Sequence, residues 1–339
     1  MSPGRTRSPR VSILLPARNA SATLDSCLRS VRRQALGEWE CVLVDNGSSD
    51  GTRQAADRFA ARDGRFRVVP FPEGNLVAAL NEGVRHCRAP LIARMDADDL
   101  MHRDRLAAQA QALERESSLA AVGCHVRLFP RAALARGLCD YEAWLNSLRS
   151  CWDVARDAFV ECPVAHPSLM MRRDMAALGY ADRGWPEDYD LVLRALGARM
   201  RIGVVPRRLL SWRDGPRRLS RTDPRYALDR FIACKAHYLA AGFLGGSDRY
   251  ILCGYGSTGS ALRRALARLD RHPAWIVEVH PARLGKRIHG APVIPAAALP
   301  GIEPLPILVS VARQGPRSEV RRTLAALGFV EGKDYVCAA

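Results

Sequence analysis

A chain of 339 residues is long for one hydrophobic core and suits two domains. Its 48 % hydrophobic and 25 % charged content is ordinary for a globular protein, and no apolar run reaches the roughly 18 residues needed to span a bilayer. The net charge of +16 has the look of nucleic-acid binding, but only Lys235, Lys286 and Lys333 of the 51 basic residues are lysines. The rest are arginines scattered along the chain, a composition skew rather than a patch, so specific nucleic-acid binding is not expected. Attraction to acidic phospholipid headgroups, or to a diphosphate substrate, is the favoured use of the charge.

Taken in chain order, "MSPGRTRSPR" (1–10) reads as a disordered basic tail, with no apolar stretch behind it for a secretory signal. "VSILLPARN" (11–19) reads as a buried strand ending in a turn. "SATLDSCLRSVRRQA" (21–35) has Leu24, Leu28 and Val31 at helical spacing and Ser21 as its cap. A second strand, "ECVLVDNGSSDGT" (40–52), runs into a polar loop, and the helix "RQAADRFAARD" follows. "FRVVPF" (66–71), "LVAALNEGVRHC" (76–87) and "PLIARMD" supply a strand, a helix and a fourth strand. This alternation predicts a parallel sheet covered by helices on both faces, with ligands outside the carboxyl ends of the strands.

From about 110 to 225 the pattern is irregular, and its clearest arginine run is "RRLLSWRDGPRRLSR" (207–221). "RYALDRFIACKAHYLAAGFL" (225–244) reads as a helix serving as a connector. "RYILCGYGSTGSALRRALARL" (249–269) restarts a strand, turn and helix. "AWIVEVHP" (274–281), "LPILVSVA" (305–312) and "RSEVRRTLAALG" (317–328) add two strands and a helix. The ten cysteines contain no C-x-x-C pair, and Cys162 with His166 lacks the second half of a zinc site. Buried free thiols in a reducing cytoplasm are expected.

The chemistry concentrates at the fourth strand. Asp96, Asp98 and Asp99 put three carboxylates at the end of an apolar run. Hard divalent cations take oxygen ligands from carboxylates and substrate phosphates, which is one use for the cluster. The other is a solvated turn, with Asp99 or Asp104 capping the helix that follows. "VDNGSSDGT" ends the second strand. "GWPEDYDLVLRALG" (184–197) sets Glu187, Asp188 and Asp190 ahead of an apolar helical run. A carboxylate there can act as a general base or simply cap a helix.

"VSILLPARN", "ECVLVDNGSSDGT", "ARMDADD", "HPSLMMRR" and "PEDYDLVLRA" together resemble the inverting nucleotide-sugar glycosyltransferases of family 2, over about residues 11–215. The resemblance implies a GT-A (nucleotide-diphospho-sugar transferase) Rossmann-like α/β domain. It implies that Pro16, Ala17 and Asn19 line the nucleoside pocket and Asp45 contacts the base. Asp96 and Arg94 would join the nucleotide-sugar site, Asp98 with Asp96 would hold Mn2+ or Mg2+, and Asp99 would support them. Asp188 would be the catalytic base, with Glu187 beside it near the acceptor, and Arg213 would close over the diphosphate. His166 falls in a family-like segment, but a structural histidine satisfied by backbone is the favoured reading.

Two positions depart from the family pattern. Leu80 replaces an arginine often found before the asparagine that Asn81 matches, and Arg18 replaces a tyrosine often found before the Asn19 position. The implied reaction is a single displacement with inversion. A sugar moves from a nucleotide diphosphate to a hydroxyl of a glycan or lipid-linked acceptor, in cell-surface polysaccharide synthesis. The expected location is cytoplasmic, peripheral on the acidic inner face of the membrane.

"GYGSTG" (254–259) matches G-x-G-x-x-G between a strand and a helix, and Glu278 ends the next strand. That is the dinucleotide fingerprint in context, with Gly254, Gly256, Gly259 and Glu278 as a second nucleotide site for NAD or another nucleotide. The segment resembles small Rossmann-like domains appended to some bacterial glycosyltransferases, for which a vestigial or interaction role stays open. The expected divisions are tail 1–10, GT-A domain 11–224, helical connector 225–246 and Rossmann-like domain 247–339. A sugar-nucleotide oxidoreductase or epimerase working through 247–339 is the alternative enzyme. It lacks a Tyr-x-x-x-Lys pair, since neither Tyr250 nor Tyr255 has a lysine four residues on. A non-catalytic binding protein is the third reading.

Overall fold

A computed structural model describes residues 8–216, 218–278 and 281–339. Residues 1–7 of the expected tail lie outside the described residues. Within that tail Arg10 is held: its N–H donates to the Glu38 carbonyl (2.8 Å) and its guanidinium pairs with Glu114. The chain divides into two compact units. One comprises residues up to 154 with 164–183 and 190–218; the other comprises 155–163, 184–189 and 219 onward.

The first unit begins β1 (Val11–Ala17), α1 (Leu24–Arg32), β2 (Trp39–Asp45), α2 (Thr52–Arg62), β3 (Phe66–Pro70), α3 (Leu76–His86) and β4 (Leu91–Arg94). These are the alternating elements that the apolar runs and helical spacings predict. Then come β5 (Leu100–Met101), α4 (Arg105–Arg115), β6 (Leu119–Phe129), α5 (Arg136–Leu145) and α6 (Cys151–Arg156). β7 (Met170–Arg172), α7 (Arg173–Ala176), α8 (Glu187–Gly197) and β8 (Arg201–Arg213) follow. The first three residues of α8 and the last two of α6 are counted with the second unit.

The sheet order is β3-β2-β1-β4-β7-β6-β8-β5. β1 runs parallel to β2, with Ala17 opposite Asp45, and to β4, with Leu14 opposite Arg94. The first four strands pair in parallel as expected, and β6 also runs parallel to β8. β7 is antiparallel to β4 and β6, and β5 is antiparallel to β8, so the sheet is mixed. The irregular middle of the sequence supplies these added strands, which need no crossover helix to reverse direction. One cap also differs from expectation: Thr23 precedes α1 without a capping side-chain bond, while the Ser21 N–H donates to Asp50 Oδ2 (3.1 Å).

β1 and β2 are buried along their whole lengths, as strands covered on both faces must be. α3 approaches them closely at Gly83, where a Cβ would lie 2.2 Å from Leu14 Cδ1 and 2.9 Å from Val44 Cγ2. Gly83→Ala should therefore destabilise the protein by about 1–3 kcal/mol in urea melts, because overpacking a filled core outweighs the helix propensity alanine adds. Unchanged stability would mean that β1 and β2 yield at this contact.

The second unit contains α9 (Leu219–Thr222), α10 (Leu228–Ala241), β9 (Arg249–Cys253), α11 (Ser257–Ala267), β10 (His272–Val277) and β11 (Arg287–Ile288). β12 (Ala291–Ile294), β13 (Ile307–Val309), α12 (Gln314–Ala326) and β14 (Tyr335–Cys337) complete it. Its sheet runs β11-β12-β10-β9-β13-β14, with every pair from β12 to β14 parallel. The stretch expected as a connector forms α10, whose Ile232, Ala236 and Leu239 bury with Tyr250, Leu252, Ile276 and Leu308 in this unit's core. All ten cysteines are free thiols, most of them buried. No helix among the described residues is long and apolar enough to cross a membrane.

Candidate nucleotide-sugar and metal site

The acidic cluster occupies the turn that leaves β4. The Met95 N–H still donates to the Leu14 carbonyl (3.0 Å), and the chain then turns, with the Asp99 N–H on the Asp96 carbonyl (3.3 Å). Carboxylate oxygens of Asp96, Asp98 and Asp99 come within 4.8 Å of one another. Asp99 is fully buried; its Oδ1 accepts the Arg213 N–H (2.7 Å), while its buried Oδ2 has no hydrogen-bond partner among the described residues. Burial, then the charge of Asp96, pushes Asp98 up to about 6. Burial and both neighbouring carboxylates raise Asp99 well above the usual range. Neither Asp99 nor Asp104 caps the next helix, since Asp104 precedes α4 without a capping side-chain bond and Asp99 serves β8.

Cations surround this turn. Arg94, 3 % exposed, ion-pairs with Asp96. Arg213 Nε donates to the Asp98 carbonyl (2.8 Å), and its guanidinium lies 4.5 Å from the Phe129 ring centre. Arg213 thus braces the turn. Arg218, set over Trp212 at 4.5 Å, offsets the charge of Asp98 and Asp99. Arg105 is buried beneath; its Nη2 donates to the Arg94 carbonyl (2.8 Å) and its Nε to Gln109 Oε1 (2.9 Å). Sequence reasoning missed Arg105 and Arg218. The signal for Arg105 was its place, with Gln109, on the apolar face of α4 beside Leu106 and Leu113.

Three oxygen-donor side chains, one with a buried oxygen lacking a partner, fit a hard divalent cation such as Mg2+ or Mn2+.

The neighbouring strand ends bring the nucleoside candidates together. Pro16 and Ala17 close β1, and Asp45 closes β2 with Oδ1 accepting the Ser48 N–H (3.3 Å). Asn19, at φ +49°, ties the two loops: its Oδ1 accepts the Ser49 N–H (2.8 Å) and its own N–H donates to Ser48 Oγ (3.2 Å). Asp50 pins the same loop through Ser21 and Thr52; these hydrogen bonds outweigh burial and hold its carboxyl below the usual range. On α3, Leu80 is fully buried and cannot stand in for an arginine at a diphosphate. Asn81 is committed to Tyr180: Nδ2 donates to its carbonyl (2.9 Å), and Oδ1 accepts its N–H (2.8 Å).

His166 is buried against Tyr180, with Nε2 and the phenol oxygen 3.0 Å apart. Its Nε2 is engaged by that side chain. Burial, then the charge of Arg94, holds its pKa well below the ordinary value, so the ring is neutral.

The remaining candidates lie in the second unit. Glu187, 1 % exposed, accepts the Tyr226 hydroxyl at both oxygens (2.8 and 2.7 Å). Burial, then the charge of Glu187, raises the Tyr226 pKa. Asp188 is half-buried, and its Oδ1 accepts the Tyr189 N–H (2.8 Å). Tyr189 is fixed in turn by stacking on Phe231 (4.4 Å) and by its hydroxyl on the Ala158 carbonyl (2.7 Å). Glu187 is thus an anchored group, and Asp188 the more accessible carboxylate. Tyr226 was invisible to sequence reasoning. Tyr226→Phe should destabilise the protein by about 1–3 kcal/mol in chemical denaturation, since it removes a donor from a buried carboxylate. A neutral result would show that the hydroxyl carries no weight there.

The glycine turn of the second unit has the packing its spacing predicts. Gly254 adopts φ +88°, and a Cβ there would meet Val311 Cγ2 at 2.7 Å; one on Gly259 would meet the Gly254 carbonyl oxygen at 2.3 Å. Gly256 faces open space. Glu278, however, is already engaged: its Oε2 accepts Arg283 Nη1 (2.9 Å) and the Tyr255 N–H (3.4 Å).

Residues 12–142 match the model of glycosyl transferase family 2. EpsJ, an uncharacterized glycosyltransferase of Bacillus subtilis, is 34 % identical over 119 residues, which is 34 % of this chain and 33 % of EpsJ. TuaG of the same bacterium, a putative teichuronic acid biosynthesis glycosyltransferase, is 27 % identical over 176 residues, 50 % of this chain and 70 % of TuaG. The mannosyltransferase PcManGT of Pyrobaculum calidifontis, solved with GDP-Man and Mn2+, superposes with a TM-score of 0.50 at 19 % identity, covering 96 % of this chain and 82 % of that one. That likeness speaks for the fold. The chain spans about a third of the length of EpsJ.

Proposed function

With residues 12–142 a family 2 glycosyltransferase domain on a GT-A fold, we propose that the protein moves a sugar from a nucleotide diphosphate to a hydroxyl of a glycan or lipid-linked acceptor. The observation that carries this is the acidic turn after β4, with its buried unpartnered Asp99 oxygen beside strand ends that hold Asp45 and Asn19. TuaG's assignment to teichuronic acid synthesis supports a cell-surface polysaccharide as the product. The GDP-Man and Mn2+ bound by PcManGT support a nucleotide-sugar donor and a divalent ion.

In this mechanism Asp98 and Asp96 hold Mg2+ or Mn2+, which when bound neutralises charge on the departing diphosphate. Arg94 fixes the Asp96 carboxylate, and Arg213 fixes the backbone of the turn. Pro16, Ala17 and Asn19 line the nucleoside pocket, and Asp45 accepts an N–H of the base. Asp188 takes the proton of the acceptor hydroxyl as its oxygen bonds to the anomeric carbon. The nucleoside diphosphate leaves from the opposite face with the bonding electron pair, so configuration inverts.

Incubation with UDP- and GDP-sugars should release the nucleoside diphosphate from at least one donor only when Mn2+ or Mg2+ is present. Release from none, without any metal-dependent thermal shift, contradicts the reading. We also place the enzyme in the cytoplasm, where its arginine excess draws it to acidic membrane; sedimentation with anionic but not neutral vesicles checks this.

The packing at Gly254 and Gly259 favours a second reading for the second unit alone, binding of NAD or another nucleotide at the turn. The Arg283–Glu278 pair must then open to a ribose. Titration of the whole chain with NAD decides, and no saturable binding leaves the unit an interaction role.

A further inference from the structure

Alternate residues of the run 185–189 are each held by one neighbouring stretch of the second unit. The Trp185 ring lies 5.3 Å from the His237 ring, and Glu187 accepts the Tyr226 hydroxyl at both oxygens. Tyr189 stacks on Phe231, the ring planes 2° apart and the centres 4.4 Å apart. Tyr226 closes the turn before α10, and Phe231 and His237 lie on α10 itself. Between these anchors Pro186 is buried and Asp188 half-buried. The backbone on both sides of Asp188 is therefore fixed by three contacts, none of which draws on the Asp188 carboxylate.

α10 is fastened in turn to the parallel sheet of its own unit. Its Ile232, Ala236 and Leu239 share a core with Leu252, Ile276 and Leu308. Lys235, 5 % exposed, donates from Nζ to the carbonyls of Ala338 (2.7 Å) and Val160 (3.1 Å). Ala338 follows β14, and its N–H donates to the Val309 carbonyl of β13 (2.7 Å). The Lys235 ammonium also lies 5.7 Å from the centre of the Phe231 ring. A line of contacts thus runs from β13 and β14 through Lys235 and Phe231 to Tyr189, one residue from Asp188. The stretch 155–163 joins the same assembly: the Tyr189 hydroxyl donates to the Ala158 carbonyl (2.7 Å), and Asp157 pairs with Arg321 of α12 (2.5 Å).

We propose that the second unit is the mount of the catalytic base: α10 and the turn before it hold 185–189 so that Asp188 meets the acceptor hydroxyl in one orientation, with Phe231 as the central positioning residue. The inference rests on the reading of Asp188 above, and it gives the unit a part in transfer that needs no nucleotide at its glycine turn. A general base acts only from hydrogen-bond reach of the proton it takes, and a displacement of about 1 Å is enough to slow the reaction strongly. Loosening this mount therefore falls on turnover rather than on donor binding.

The test compares three variants of the full chain. Phe231→Leu keeps apolar bulk without the plane, Phe231→Tyr keeps the plane, and Ile276→Val trims the sheet core on β10. Phe231→Leu should lower kcat about tenfold or more and leave the donor dissociation constant unchanged. Phe231→Tyr should recover most of that turnover, and Ile276→Val should keep the wild-type kcat. Hydrogen–deuterium exchange over 184–189, measured without donor, should be faster in Phe231→Leu than in Ile276→Val. Wild-type kcat in Phe231→Leu, an equal loss in Ile276→Val, a parallel loss of donor affinity, or unchanged exchange over 184–189 overturns the inference while the Asp188 reading stands. Near-normal turnover in Asp188→Asn overturns that reading, and this inference with it.

Discussion

Asp98→Asn should raise the melting temperature of the metal-free protein while abolishing its metal-dependent activity. The Asp98 carboxyl titrates near 6 in the fold, against 3.8 unperturbed, because burial and the charge of Asp96 disfavour ionisation. Between those two values the folded state binds more protons than the unfolded one, so stability falls as pH rises, and the full penalty is present above 6. An asparagine carries no charge, so at pH 7.5 it should recover on the order of 2 kcal/mol, seen as a few degrees of melting temperature. The same variant should show no thermal shift with Mn2+ and no metal-dependent donor turnover. Wild-type Mn2+ affinity should fall about tenfold for each pH unit below 6, as protons compete for the ligand. A destabilised variant that still binds Mn2+ would mean that the three carboxylates are held for structural reasons. The physical point is that Asp96, Asp98 and Asp99 are a poor arrangement for an ion-free fold, and a divalent cation relieves it.

Asp188→Asn should lower turnover about a thousandfold and leave the dissociation constant of the donor unchanged, the signature of losing a general base rather than a binding group. The substitution is conservative at this position. Asn keeps an oxygen to accept the Tyr189 N–H, and the anchor from Tyr226 to Glu187 is untouched, so the start of α8 should stay folded. Single-turnover kinetics with the donor established above, beside donor titration, separate the two effects. Near-wild-type turnover removes Asp188 from the role, and a parallel loss of donor affinity makes it a binding residue instead.

The first hundred residues were legible because each strand is an uninterrupted apolar run and each helix has an amphipathic face, so local pattern and fold agree. The middle was not. β8, "RIGVVPRRLLSWR", hides behind Pro206, Arg207 and Arg208. The structure absorbs Pro206 and Arg207 as a bulge between the pairs Cys124–Val205 and His125–Arg208, which no period-two count reveals. β7 is only three residues long, and its reversal of direction has no sequence marker.

At the site, the carboxylates were readable because three of them ending an apolar strand demand a partner. The groups that hold them were not. Arg213, expected at a diphosphate, donates to Asp98 and Asp99; Tyr226 meets Glu187 from a segment far along the chain. Such pairings are made by tertiary contact, and neither partner carries a local signature. Leu80, which replaces an arginine often found in the family, was legible as a departure, and its full burial agrees with that.

The central claim is that the turn after β4 holds a divalent ion for the donor's diphosphate. Anomalous diffraction from crystals grown with Mn2+ and the nucleoside diphosphate that binds tests it most directly. The prediction is one strong manganese peak ligated by Asp98, with Asp96 beside it and phosphate oxygens completing the shell. A peak elsewhere, or bound nucleotide with Asp96 and Asp98 turned to solvent and no ion between them, would contradict it.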